Sequence, residues 1–283
     1  MKIAVMADST SYIPQELREK HDIHIVPLSV VFEDGSYQED IDITTEEFYE
    51  KLRESDELPT TSQPSVGAFV DLYKVLANDN YDAVITVHLS RKISGTYDVA
   101  QSAGEMVKGI EVYAYDSELS ALAQGFFAIE AAKMAKKGDK TPDEIIARLD
   151  KLKEKMFAYF MVDDLTNLQR GGRLSGAQAL VGSLLKIKPI LHFEDGEIVP
   201  YEKIRTRKKA ISRIMSLLEA DIEKGSVEKV VFIHANDEAS AVELEKEFSK
   251  KHSDIETTIS YFGPVIGTHL GEGAIGVAWY HSF

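Results

Sequence analysis

Short apolar runs alternate with segments of helical periodicity along the first half of the chain. Residues 3–7 form one β-like run, 23–31 a second, 83–87 a third and 110–115 a fourth. Helix-like segments lie between them at 14–20, 46–53, 65–77 and 95–107. Thr44-Thr45-Glu46-Glu47 has the form of a capping box, in which a hydroxyl and a carboxylate each satisfy a free backbone N–H at a helix start. Apolar strands alternating with helices predict a parallel sheet covered on both faces. Two longer helices follow at 119–137 and 142–155. The second opens on Thr141-Pro142-Asp143-Glu144, which supplies an N-cap, a first-turn proline and an acidic return partner.

The rhythm changes near residue 157. A strand over 157–162 leads through a short helix to Arg170, and 175–185 reads as an apolar helix. Strands at 187–193 and 198–204 flank Asp195-Gly196, a dipeptide suited to a tight hairpin turn. A helix at 207–224, a strand at 229–234, a helix at 238–251 and a strand at 255–262 complete this half. The pattern predicts an N-terminal parallel-sheet α/β domain over residues 1–156 and a C-terminal α+β domain over residues 157–283. Gly271-Glu272-Gly273-Ala274-Ile275-Gly276 has dinucleotide-fingerprint spacing, but no βαβ unit can follow so near the end of the chain. A tight loop and a strand are expected there instead.

Composition narrows the function. The 283 residues carry a net charge of -15, which disfavours nucleic acid as a partner, because phosphates call for a basic face. Cysteine is absent, so thiolate nucleophiles and zinc–thiolate sites are excluded, and no histidine spacing suggests a metal site. The first eight residues are too short an apolar run for a secretion signal, and nowhere do the ~20 apolar residues of a membrane span occur together. A cytoplasmic location is expected, with any membrane contact transient and at the surface.

Against this acidic background Arg170-Gly171-Gly172-Arg173-Leu174-Ser175-Gly176 stands out. Two glycines permit close backbone approach and two arginines supply fixed cations, so the turn reads as an anion site. Three further islands are rich in hydroxyls and glycine: Thr60-Thr61-Ser62-Gln63-Pro64-Ser65, the stretch from Ser90 to Thr96 containing Ser94-Gly95, and Gly263-Pro264-Val265-Ile266-Gly267-Thr268-His269. Together they could supply the several donors that a desolvated carboxylate requires. Each also has a plain structural reading. Ser94 could be a helix N-cap, Thr61 a turn residue before Pro64, and His269 part of a glycine-rich loop. Lys203, Arg205, Arg207, Lys208, Lys209 and Arg213 form a second basic cluster, suited to a solvated face, a phosphorylated group or an acidic partner. Ala121, Ala123, Gly125, Ala128, Ala131 and Ala132 could admit a closely packed helix or leave room for an apolar ligand.

In this order the islands resemble the DegV family of bacterial fatty-acid-binding proteins, from Asp8-Ser9-Thr10-Ser11 through Gly276. The pieces Thr61-Ser62-Gln63-Pro64-Ser65, Ser94-Gly95-Thr96-Tyr97, Arg170-Gly171-Gly172-Arg173, Lys186-Ile187-Lys188-Pro189-Ile190-Leu191 and 263–269 carry the likeness. The resemblance implies an N-terminal α/β domain and a C-terminal α+β domain with a long acyl chain buried in a tunnel, and no cofactor. It also implies, for members of the FakB type, service as the lipid-carrying subunit of a two-component fatty acid kinase, whose separate ATP-binding protein phosphorylates the carboxylate. By the same resemblance Thr61, Ser94, His269 and Arg170 would hold the carboxylate, and Arg173 and Arg205 would face the kinase and its phosphates. No turnover by the chain alone is expected. Tyr12 stands where an acid is common in the family, Glu272 where proline is common, and Ala121 and Ala123 where serine and glycine often occur. The rival readings are a lipid-sensing regulator that delivers nothing and a serine hydrolase using Ser94 and His269.

Overall fold

The computed structural model describes residues 1–163, 165–175 and 187–282. Apart from Ser175, the helix expected over 175–185 lies outside the described residues.

The first half is built on a parallel sheet of β1 (Ile3–Asp8), β2 (Ile23–Val26), β6 (Ala83–His88) and β7 (Glu111–Asp116), in the order β2-β1-β6-β7. The unbroken apolar run of β1 follows from burial on both faces. Ala4 and Met6 pack with Phe69, Tyr73, Ala100 and Ala103 of α3 (Val66–Asn78) and α4 (Thr96–Met106). Ile3, Val5 and Ala7 face the other way, in the cluster that includes α5 (Ala121–Lys137). A period of two along the strand thus serves two helical layers.

The run 23–31, expected as one strand, divides at Pro27-Leu28 into β2 and β3 (Ser29–Phe32), which belong to different sheets. Proline has no N–H for the ladder. Leu28 turns its own N–H to Ser9 Oγ at 3.0 Å and accepts from Glu39 N–H at 3.0 Å. β3 then pairs antiparallel with β4 (Gly35–Gln38) and β5 (Thr60–Ser62). Between these last two strands lies α2 (Thr45–Glu54), which carries the expected Thr44–Glu47 capping box.

Beyond α6 (Pro142–Lys153) a six-stranded sheet begins. It contains β8 (Met156–Met161), β9 (Lys188–Glu194), β10 (Glu197–Ile204), β11 (Val227–His234), β12 (Glu256–Tyr261) and β13 (Ile275–His281), in the order β10-β9-β8-β13-β11-β12. Only β11 and β12 pair in parallel. Asp195 and Gly196 join β9 to β10 with φ of 49° and 80°, as a two-residue turn with both central residues left-handed requires. One sheet face is sealed by α8 (Arg207–Ile222) and α9 (Glu238–Lys251) through Ile214, Leu218 and Phe248. On the opposite face Phe160, Leu191, Val231, Ile233 and Ala278 join the cluster that contains α5 and β1. One core therefore spans both halves.

The glycine-rich stretch read as a loop contains a helix, α10 (Pro264–Leu270). Pro264 enters its first turn and Gly271, at φ 78°, ends it, the usual placing of these residues at helix ends. Helical periodicity is obscured because Gly267 lies where any Cβ would overlap the ring of Tyr49. Tyr49 also donates its hydroxyl to Phe262 O at 2.7 Å.

Asp8, at the end of β1, is fully buried and organises the strand ends beside it. Its Oδ2 accepts from Leu89 N–H at 2.9 Å and Gln124 Nε2 at 3.0 Å, and lies 3.1 Å from His88 Nδ1. Its Oδ1 accepts from the Thr10 hydroxyl and backbone N–H. Asp8→Ala would leave several buried donors unpaired, each at a cost of ~1–3 kcal/mol. The expected loss is at least ~3 kcal/mol in urea unfolding, and a loss below ~1 kcal/mol would show that water replaces the carboxylate.

Candidate functional site

Between the two halves lies a cavity of about 290 Å3, far more than the ~10–15 Å3 needed to hold one water. It exists because facing surfaces present small side chains. On the six-stranded sheet Ala158 is paired with Ala278, and Gly276 with Phe160. Across the gap, α5 offers Ala121 and Ala123. Ala121 and Ala123 of α5 line the cavity, whereas Gly125 is packed against Ile13 and the backbone of Ser11. Leu28, Ile93, Phe193, Ile198 and Ile266 complete much of the apolar lining.

One end of the cavity is polar. Thr61 at the β5 edge, Ser94 in the segment between β6 and α4, His269 on α10 and Arg173 all line it. Thr61 Oγ1 lies 2.9 Å from His269 Nε2. The other ring nitrogen, Nδ1, is buried and has no hydrogen-bond partner among the described residues. Burial, reinforced by the Arg173 charge, pushes His269 down to about 4, so the ring is neutral near pH 7. Ser94 Oγ lies 2.9 Å from Thr96 Oγ1 and accepts a long bond from Thr96 N–H, while Gly95 occupies the formal N-cap of α4.

The two arginines of the Arg-Gly-Gly-Arg turn part company. Arg170 is the last residue of α7 (Thr166–Arg170) and is exposed. The chain then reverses through Gly172 at φ 69°, with Gly172 N–H bonded to Gln169 O and Arg173 N–H to Leu168 O. These two bonds define a Schellman cap, for which a left-handed glycine is the natural residue. Arg173 is thereby returned to the cavity, where its Nε donates to Ile93 O at 3.1 Å and Nη1 to Gly171 O. Desolvation lowers its pKa, and among the described residues no carboxylate lies within ion-pair distance. Gly171 has a separate duty: a methyl group there would overlap the His269 ring.

Outside this end lies an open cleft of about 530 Å3 lined by Asp56, Glu57, Asn167 and Arg170, among others. Thr61, His269 and Arg173 line both spaces and so form the neck between them. Of the residues expected at a carboxylate, Thr61, Ser94 and His269 come together in the cavity and Arg170 stands outside. Arg173, expected to face a partner, lines the cavity, while Arg205 is exposed between β10 and α8, away from both spaces. Gln63 and Ser120 also line the cavity. The sequence reading missed their roles, although Gln63 belongs to the Thr61 island. Among the described residues no group of His, Asp or Glu is arranged to hold a metal ion, and no helix is long and apolar enough to cross a membrane.

The chain belongs to the DegV family, whose sequence profile, described as that of an uncharacterised protein family, matches residues 2–282. It is 56% identical to protein DegV of Bacillus subtilis over 279 residues, covering 99% of each chain. The crystal structure of DegV from Bacillus subtilis, described as a fatty acid binding protein, superposes with a TM-score of 0.94 at 55% identity over 100% of both chains. A fatty acid binding DegV family protein from Streptococcus agalactiae gives 0.91 at 32% identity, again over 100% of both chains. A DegV family protein from Thermus thermophilus, described by its fatty acid binding, gives 0.90 at 32% identity and the same coverage.

The depressed His269 has a defined effect on stability. The unfolded ring titrates near 6.5 and the folded one near 4, so stability from this group is present above pH 6.5 and lost as pH falls towards about 4. The loss is expected to reach up to ~3 kcal/mol. Urea unfolding of wild type and His269→Gln at the two ends of that window should show a smaller acid loss in the variant. An equal loss would exclude His269 as a source.

Proposed function

We propose that this chain binds a long-chain fatty acid, with the acyl chain in the cavity and the carboxylate at the neck. The observation that carries this reading is Arg173: a half-buried cation without a described carboxylate partner, set beside a neutral histidine at the polar end of an apolar cavity. A carboxylate would complete the charge balance, because unpaired buried cations are costly. Thr61, Ser94 and His269 supply additional hydrogen-bonding groups at the same end. Burying the tail contributes ~0.8 kcal/mol per methylene, so the tail sets affinity and the neck sets orientation. Fatty acid binding by relatives that match along the whole chain supports the same reading.

The neck also suggests a use for the bound acid. Its carboxylate would stand where the cavity opens to the outer cleft, beside exposed Arg170. We infer presentation to a separate ATP-dependent kinase that forms the acyl phosphate, with Arg170 at the cleft and Arg205 further out as contacts for the partner. Phosphoryl transfer depends on positioning and charge stabilisation, so the lipid carrier need supply neither nucleophile nor metal of its own. The hydrolase alternative gains no support from the geometry, since Ser94 is bonded to Thr96 and His269 to Thr61.

Mass spectrometry of an organic extract of the purified protein tests binding directly. A stoichiometric long-chain fatty acid is expected, and an empty extract that stays empty after incubation with fatty acids would overturn the reading. Thr61→Ala and Ser94→Ala should each raise the fatty acid Kd ~3- to 30-fold at an unchanged melting temperature. Arg173→Met, which retains an apolar stem, should cost ~10-fold or more. Unchanged affinity in all three would move the carboxylate away from the neck. Incubating the loaded protein with its partner kinase and ATP should yield acyl phosphate; no product would remove the delivery step and leave binding intact.

A further inference from the structure

Glu39 follows β4, is 1% exposed, and has no cation within ion-pair distance among the described residues. A carboxylate withdrawn from water persists only where donors replace the solvent. Three converge on it. Ser9 Oγ donates to Oε2 at 2.5 Å, while the Tyr12 hydroxyl at 2.8 Å and Val265 N–H at 2.7 Å donate to Oε1. The Tyr12 oxygen in turn accepts from Ile266 N–H at 3.2 Å.

The placement of these partners gives the cluster its meaning. Val265 and Ile266 sit in the first turn of α10, whose N–H groups have no partner within the helix. Glu39 and Tyr12 satisfy them from the other half of the molecule. A seven-residue helix has little stability of its own, so its position depends on such external ties. Gly263 completes the seat, because any Cβ there would overlap the Tyr12 ring. On the opposite side Glu39 N–H donates to Leu28 O, and Leu28 N–H donates to Ser9 Oγ. Leu28, Val265 and Ile266 all line the cavity, and His269 lies one turn beyond Val265. Glu39 lines neither the cavity nor the cleft. It braces two cavity walls from behind.

We propose that Glu39, acting with Tyr12, is the positioning residue of the binding site: it fixes α10 so that His269 meets Thr61 and the apolar walls close on the ligand. The proposal rests on reading the cavity as a fatty acid site. Ser11 and Ser260 strengthen the seat locally, through bonds to the Asp8 and Tyr12 carbonyls. The direct tie to α10 nevertheless runs through the Glu39–Tyr12 pair.

The test measures palmitate displacing a fluorescent fatty acid from the full chain, together with amide hydrogen exchange at Val265 and Ile266. Glu39→Ala should raise the Kd about tenfold and speed exchange at both amides, the scale expected for a lost buried hydrogen bond. Glu39→Gln, which keeps an oxygen for Val265 N–H, should restore most of the affinity. Ile214→Val, a core change on the buried face of α8, should lower the melting temperature without altering Kd. Wild-type affinity and exchange in folded Glu39→Ala would overturn the proposal. Should that variant not fold, Tyr12→Phe takes its place, with a several-fold weaker Kd expected and wild-type binding and exchange overturning the assignment. Failure of the wild-type protein to bind palmitate would sink the functional reading instead, while exchange at Val265 would still report whether Glu39 holds α10.

Discussion

Two apolar layers that cannot fill the space between them set the character of this molecule. Protein interiors normally close to crystal-like density, and a void costs the lost contacts of its walls. Here Ala158, Gly276 and Ala278 on the six-stranded sheet face Ala121 and Ala123 on α5, and the shared core cannot collapse further because its rim is fixed. The buried Asp8 carboxylate ties β1 to the segment after β6 and to Gln124 of α5. Tyr49 holds the chain just before α10. Ser90 Oγ holds the hairpin tip at Gly196 O, 2.7 Å away. The polar bonds keep the layers apart, and an apolar ligand can restore the missing contacts.

Among the described residues the neck adds polarity without a carboxylate to balance Arg173. A neutral histidine and a half-buried arginine stand where two spaces meet; among the described residues His269 Nδ1 has no hydrogen-bond partner and Arg173 no carboxylate. An uncharged chain end would leave Arg173 unbalanced, while a carboxylate would satisfy it and supply acceptors for Thr61 and Ser94. The opening to the outer cleft makes the same atoms reachable from outside, which a simple storage site would not require.

Much of the fold was legible because local chemistry and global role agreed. The run Ile3-Ala4-Val5-Met6-Ala7 must be buried on both faces, the two capping boxes mark helix starts, and Asp195-Gly196 fixes a hairpin. The site was legible as a set of islands but not as an arrangement. Arg170 and Arg173 share one turn, yet a Schellman cap sends one to solvent and the other inward, a distinction set by backbone geometry at Gly172. α10 hid among glycines that are explained only by the rings of Tyr12 and Tyr49 packed against them. Glu39 carried no local signal, since its partners lie 27, 30 and 226 residues away. Alanines on strands likewise do not reveal whether the opposite surface will fill the space they leave.

The two unusual titrations near α10 act in opposite directions. Burial raises Glu39 to about 7 from an ordinary 4.5, against the lowering effect of its three hydrogen bonds. In the window between those values the folded state holds a proton that the unfolded state has lost, so the Glu39 contribution falls as pH rises. For His269 the unfolded state holds the extra proton between about 4 and 6.5, and its contribution rises with pH. Across their shared window the two slopes run in opposite directions. A ligand carboxylate at the neck would disturb one of these titrations only. It would favour the imidazolium and raise the His269 pKa, while Glu39 stays behind the wall.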